Sequence, residues 1–219
     1  METKKESLEE LLANQRIAST KKYSEERNQI NAAGVADVRN SGILSKTLNV
    51  GDIAPDFTLR NVQNQPVSLY NELANGPVIL VWYRGGWCPY CNITLHYLQE
   101  KLPEFKEAGA TLIALTPELP DNSLSTTEKN NIAFNVLSDL GNKVGKEFGV
   151  VFELTAEIAS IYEASFGLNN TNGDDSNELP LAATYVIDTD KTIKYAFLDA
   201  DHKKRAEPEE ILKALKAIK

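Results

Sequence analysis

The 219-residue sequence predicts an α/β fold: a mixed central β-sheet flanked by helices, with an N-terminal helical extension. Three observations carry that prediction. Residues 77–83 (PVILVWY) and 110–116 (ATLIALT) are continuous apolar runs rich in β-branched residues, the texture of strands buried on both faces. Between them Leu95, Leu98, Leu102 and Phe105 recur at helical spacing, forming a stripe that faces a sheet. Further on, ATYVIDTDKTIKYAFLD reads as a β-hairpin about a turn at 188–191, and AEPEEILKALKAIK as a closing helix with Pro208 in its first turn.

The elements follow in order. Residues 1–45 are polar and free of strand-like alternation, and Leu8, Leu11, Leu12 and Gln15 share one helical face. We read this segment as a helical arm that covers the main domain, residues 46–219; a role in homodimerisation is the alternative. Two short strands are expected at 56–59 and 66–69, with a polar turn between them. Pro103 falls inside the helix that follows the first buried strand and is expected to kink or split it. SLSTTEKNNIAF offers Ser and Thr N-caps for another helix, and GNKVGKEFG reads as a helix ending at Gly149. NVLSD and VVFEL read as short strands, TAEIASIYEASF as a helix capped by Thr155, and NNTNGDDSNELP as a polar loop.

Composition narrows the function. A net charge of −8 and pI near 4.9 argue against nucleic acid or an anionic membrane surface as partner. The charged start METKKESLEELLANQ lacks the apolar stretch of a signal peptide, so a cytoplasmic location, where thiols stay reduced, is expected. In that setting a reactive or metal-binding role suits the two cysteines better than a structural disulfide.

Those cysteines, Cys88 and Cys91, lie in YRGGWCPYC, where the first buried strand ends and its helix begins. This is the carboxyl edge of the sheet, the usual place for a site in α/β folds. A helix N-terminus offers unpaired N–H groups and partial positive charge, both favouring a thiolate. Cys88 and Cys91 stand about one turn apart on nearly the same face, so their sulfurs can approach bonding distance. Pro89 fills a slot where its missing N–H costs nothing. Arg84 adds a cation able to lower a thiol pKa or hold an oxidised substrate, or serves as an ordinary surface residue. Trp87, Pro89 and Tyr90 are candidates for a substrate groove. Zinc held by Cys88, Cys91, His96 and His202 is the rival, with poor spacing between Cys91 and His96 on one helix. Inert core cysteines are the bland alternative. No cofactor is called for, and DADHKKRAEPEE reads as a solvated loop with His202 on its surface.

APDFTL, YRGGWCPYC, NVLSDLGNKVGKEFGV and LAATYVID, in this order, resemble the alkyl hydroperoxide reductase/thiol-specific antioxidant (peroxiredoxin-like) family, in a branch with a thioredoxin-type C-x-x-C. The likeness covers about residues 45–219 and extends weakly into the arm. It implies a thioredoxin-like fold and reduction of hydrogen peroxide or organic hydroperoxides by a Cys88/Cys91 dithiol–disulfide cycle. Electrons would return from a thioredoxin-like protein or a low-molecular-weight thiol. The alternatives are a thiol–disulfide oxidoreductase acting on protein disulfides and a non-catalytic zinc or interaction module.

Two departures from the family pattern bear on the roles. An ungapped alignment with peroxiredoxins puts Cys91 at the attacking position, Cys88 at a customary threonine and Arg84 at a customary proline. Alignment on thioredoxins makes Cys88 the nucleophile and Cys91 the resolver. We expect Cys88 to attack, as the more accessible thiol nearer the helix end. The second departure is Ala182, where peroxiredoxins commonly carry an arginine that polarises the peroxide. Arg84 is the substitute that the sequence suggests.

Overall fold

The computed structural model describes residues 6–218. The arm contributes two helices, α1 (Leu8–Lys22) and α2 (Glu25–Asn40), each opened by a serine. Ser7 Oγ accepts from the Glu10 N–H and Glu10 Oε2 from the Ser7 N–H, a reciprocal cap that satisfies two end donors of α1. Leu8 and Leu12 are the buried residues of α1, as its helical stripe predicted.

The main domain runs β1 (Thr58–Arg60), β2 (Pro66–Ser68), α3 (Leu69–Leu73), β3 (Val78–Trp82), α4 (Pro89–Glu107), β4 (Thr111–Thr116), α5 (Pro120–Lys129) and β5 (Asn135–Ser138). It continues through α6 (Lys143–Glu147), β6 (Val151–Glu153), α7 (Ala156–Phe166), α8 (Leu168–Asn172), β7 (Glu178–Pro180), β8 (Thr184–Ile187), β9 (Ile193–Phe197) and α9 (Pro208–Ala217). The central sheet has the order β5-β4-β3-β8-β9, parallel across β5-β4-β3 and antiparallel across β3-β8-β9. β1 with β2 and β6 with β7 form two small antiparallel pairs beside it.

Strand alternation sorts the core into layers. Ile79 and Val81 of β3 point to α4 and α9, where they meet Leu98, Leu102, Phe105, Ile211 and Leu215. Leu80 and Trp82 point to the opposite face, with Tyr185, Phe148 and Leu73. A third cluster joins Leu8 and Leu12 of α1 to Tyr83, Cys88, Tyr90, Cys91 and Leu95, so the arm's first helix lies against the cysteine segment.

Three local expectations change. α4 runs unbroken through Pro103. A helix-interior proline costs roughly 3 kcal/mol, whereas burying Leu95, Leu98, Leu102 and Phe105 returns about 1.5–3 kcal/mol each, so packing outweighs the lost bond. α5 starts at Pro120, ahead of the Ser and Thr residues read as caps. Those hydroxyls turn inward along the helix instead: Ser123 Oγ donates to the Leu119 carbonyl at 3.3 Å and Thr127 Oγ1 to the Ser123 carbonyl at 2.8 Å. The segment read as a polar loop holds α8 and β7, the latter formed by pairing with β6, a long-range partner that local composition does not reveal.

Candidate active site

The site is the β3–α4 junction, closed over by the chain after β9. Gly85 and Gly86 are required there by close approach. A Cβ on Gly85 would lie 2.9 Å from Glu118 Oε1 and would strike the Trp87 indole; one on Gly86 would overlap the Thr126 hydroxyl. Asn92 ties the loop to its helix, donating from Nδ2 to the Gly86 carbonyl at 2.7 Å while its Oδ1 accepts from Asn130. Cys88 is the N-cap residue of α4, Pro89 follows at the first helical position, and Cys91 stands in the first turn. Its N–H donates to the Cys88 carbonyl at 3.1 Å.

Both thiols are free and buried, Cys88 1% and Cys91 0% exposed, so the expected greater accessibility of Cys88 does not hold. α1 and the segment after β9 cover the helix end that the sequence left open. Their surroundings separate the two sulfurs. Burial opposes a charge on Cys91. It is overcome by the Cys88 thiol donating toward it, by the charge of Arg205, and by the backbone N–H and charge of Arg84, which together bring its pKa down to about 5. Cys88 moves the opposite way: burial, its donation to Cys91 and the charge there push it well above the ordinary thiol range, against the pull of Arg84 and Arg205.

Arg205 is the residue that the sequence reading missed. Its Nη2 donates to Cys91 Sγ at 3.3 Å, and its Nη1 donates to the carbonyls of His202 and Lys204, which hold the guanidinium in place. It is 7% exposed, so the supposed solvated loop is in part a lid over the thiols. His202, read as a surface residue, is half-buried with its ring edge-on to Tyr90 at 5.8 Å between centroids. Burial and the neighbouring Arg84, Arg205 and Lys203 hold it well below the usual imidazole range, hence neutral near pH 7. The hint in the sequence was indirect: Ala182 stands where the family commonly carries an arginine, and Arg84, not Arg205, was the expected substitute.

Arg84 is also buried, at 2% exposure. Its Nη2 donates to the Tyr162 hydroxyl at 2.8 Å, and the guanidinium lies over the rings of Trp87 (4.9 Å) and Tyr162 (5.1 Å). Burial opposes its charge, yet the Tyr162 hydroxyl and the two cysteines hold its pKa above the ordinary value. Trp87 stacks on Phe166 at 4.1 Å, Tyr90 packs inside the cysteine cluster, and Pro89 is exposed at the start of α4. Glu118, which the sequence did not single out, is buried with its Oε2 accepting from the Gly86 N–H at 3.0 Å. Burial raises its pKa to about 7; that hydrogen bond opposes the rise, and the charge of Cys91 adds to it. His96 is exposed on α4 beside Glu100. Among the described residues no three His, Cys, Asp or Glu side chains are placed to share a metal ion.

A buried dithiol at a strand-to-helix junction, with one sulfur accepting from a buried arginine, is the arrangement of a thiol-redox protein. The AhpC/TSA family pattern matches residues 50–196, and the chain belongs to that family. It is a thiol-dependent peroxidase of the peroxiredoxin kind. It is similar to the chloroplastic peroxiredoxin Q of Sedum lineare, 27% identical over 84% of this chain and 86% of that protein. It is 30% identical to the chloroplastic peroxiredoxin Q of Oryza sativa subsp. japonica over 73% of this chain and 63% of the rice protein. The crystal structure of peroxidoxin BcpB from Mycobacterium tuberculosis superposes with a TM-score of 0.62 at 23% identity, over 78% of this chain and 99% of that one, a likeness of thioredoxin-like fold.

Proposed function

We propose that Cys91 is the sulfur that attacks the peroxide and that Cys88 resolves the product. The observation that carries this assignment is the 3.3 Å contact from Arg205 Nη2 to Cys91 Sγ. A guanidinium donates but never accepts, so its buried charge is best matched by a thiolate at that position. The Cys91 thiolate attacks the terminal peroxide oxygen, the O–O bond breaks, and the leaving oxygen departs with a proton as water or an alcohol. Cys91 is then a sulfenic acid. The Cys88 thiol condenses with it, forming the Cys88–Cys91 disulfide and releasing water. Thiol–disulfide exchange with an external dithiol protein or low-molecular-weight thiol restores both thiols, the attack falling on an oxidised pair and needing the segment after β9 to open.

Arg205 can take the role for which Ala182 has no donor: its Nη2 touches the sulfur and can also hold a peroxide oxygen beside it. Arg84 supports the same charge through its backbone N–H and side chain. Burial of both sulfurs suits a small peroxide better than the surface of a protein disulfide, which favours the peroxidase over protein-disulfide exchange.

Stopped-flow mixing of the reduced protein with hydrogen peroxide tests the assignment, using wild type, Cys88→Ser and Cys91→Ser with mass analysis of the trapped sulfenic acid. Cys88→Ser should still oxidise rapidly, at Cys91, and stall there. Rapid oxidation of Cys88 in Cys91→Ser would show that the roles are reversed.

A further inference from the structure

The chain after β9 carries Arg205 to the thiols, yet little within it fixes where it lies. Among the described residues, the hydrogen bonds and ion pairs of 199–205 stay inside that run, apart from the one to Cys91. Asp199 accepts from the Asp201 N–H and pairs with Lys204 at 3.0 Å, and Asp201 accepts from the Lys203 N–H. With the donation of Arg205 to the His202 and Lys204 carbonyls, these contacts make a compact loop and orient the guanidinium within it. They do not tie the loop to α4. Ala200 and Ala206 are buried, but apolar packing has no direction.

A directed tie lies two residues past Arg205. Glu207 holds the N-cap position of α9, from which a short polar side chain caps its own helix, but its longer carboxylate makes no such bond. It faces α1 instead. There Ser7 Oγ accepts from the Glu10 N–H and the Ser7 carbonyl from the Leu11 N–H. The N–H groups of Leu8 and Glu9 are left without a partner inside the helix. Those two groups favour the charge of Glu207, against burial and the neighbouring Glu209 and Glu9. α1 is itself fixed to the thiol cluster. Leu8 and Leu12 pack with Cys88, Tyr90 and Cys91, and just ahead of the helix the Glu6 carbonyl accepts from the Tyr97 hydroxyl at 3.4 Å. α1 and Glu207 both lie outside residues 50–196, the part matched to the family pattern.

We infer, resting on the assignment of Cys91 as the attacking sulfur, that Glu207 is a positioning residue for the thiol chemistry. By clasping the N-terminus of α1 it seats the chain after β9 and keeps the Arg205 guanidinium on Cys91 Sγ. A carboxylate acting on a nearby thiol by its charge alone disfavours the thiolate. Glu207 acting through Arg205 favours it, so the two roles differ in sign.

The test titrates Cys91 in the reduced full-length protein, by thiolate absorbance and by alkylation rate against pH. The proteins are wild type, Glu207→Ala, Glu207→Gln, Arg205→Met and the double variant Glu207→Ala/Arg205→Met. Glu207→Ala should raise the Cys91 pKa from about 5 by about half a unit or more. Glu207→Gln, which keeps an acceptor for the α1 N–H groups, should raise it less. The double variant should match Arg205→Met within about 0.3 of a unit, because Glu207 has no effect once the guanidinium is gone. A Cys91 pKa that falls or stays in place in Glu207→Ala would overturn the inference, as would additive shifts in the double variant. Lost thermal stability in Glu207→Ala with Cys91 unmoved would assign the residue to folding alone and overturn it too. If Arg205→Met itself leaves Cys91 in place, the assignment of Arg205 fails and the inference falls with it.

Discussion

Replacing Arg205 by methionine removes the charge that faces Cys91 while keeping most of the side chain's length. The guanidinium lies 3.3 Å from the sulfur. Coulomb's law at that distance, with an effective dielectric of about 20, gives roughly 5 kcal/mol, an upper bound because water enters the space left behind. A hydrogen bond to a charged group is worth about 1.5–3 kcal/mol, which corresponds to about one to two pKa units. Cys91 should therefore move from about 5 to between about 6 and 7. At pH 7 much of the thiolate survives, so the rate there is a poor measure of the ionisation. At pH 6 the thiolate fraction falls about fourfold for a pKa near 6.5, and the acid limb of the pH–rate profile should shift accordingly. The assay is thiolate absorbance near ~240 nm against pH, with the alkylation rate of Cys91 as a second reading. Arg205→Lys, which keeps a charge without the fork, should restore part of the shift. The linked stability has a definite sign. Because the folded pKa is depressed, the contribution is full above the unfolded value near ~8.5 and is lost as pH falls through about 5, so Arg205→Met should flatten that dependence. An unchanged Cys91 titration in Arg205→Met would refute the role given to this residue.

Other consequences follow from the same geometry. Cys88→Ser keeps a donor beside Cys91 and should leave it acidic, whereas Cys88→Ala should raise its pKa; alkylation-rate profiles of the two variants decide this. Glu118 is raised from 4.5 to about 7 by burial, so its stabilising protonation is complete below the unfolded value and is lost as pH rises through about 7. Glu118→Gln, still an acceptor for the Gly86 N–H, should be more stable than wild type above pH 7, by up to about 3 kcal/mol in urea unfolding, with little difference near pH 4. Gly86→Ala drives a Cβ into the Thr126 side chain and should cost about 1–3 kcal/mol together with peroxidase activity. Adding Thr126→Ala to it should recover much of the stability, measured by thermal unfolding, because the clashing hydroxyl is gone.

The strand-to-helix junction was legible because each of its signals is local. Residues 77–83 are apolar without interruption, Gly85 and Gly86 break the strand, and Pro89 can only open a helix. The helical stripe from Leu95 to Phe105 likewise showed which face of α4 meets the sheet, and all four residues are buried. β7 was not legible, since its strand character comes from pairing with β6 across two intervening helices. Which sulfur faces the Arg205 guanidinium was not legible either. A rule of exposure at a helix end favoured Cys88, but α1 and the segment after β9 bury that end and bring Arg205 to the other sulfur.

By itself the sequence determined the family and the α/β plan and singled out the neighbouring pair Cys88/Cys91, because these depend on neighbours in the chain and on period. Tertiary structure alone decided which charges face which sulfur. Arg205 stands 114 residues after Cys91, and its run DHKKRAEPEE looks like any solvated charged loop. Only when the chain after β9 folds back over α4 does a guanidinium lose its water and meet the Cys91 sulfur, and that desolvated contact sets the two thiols in different surroundings.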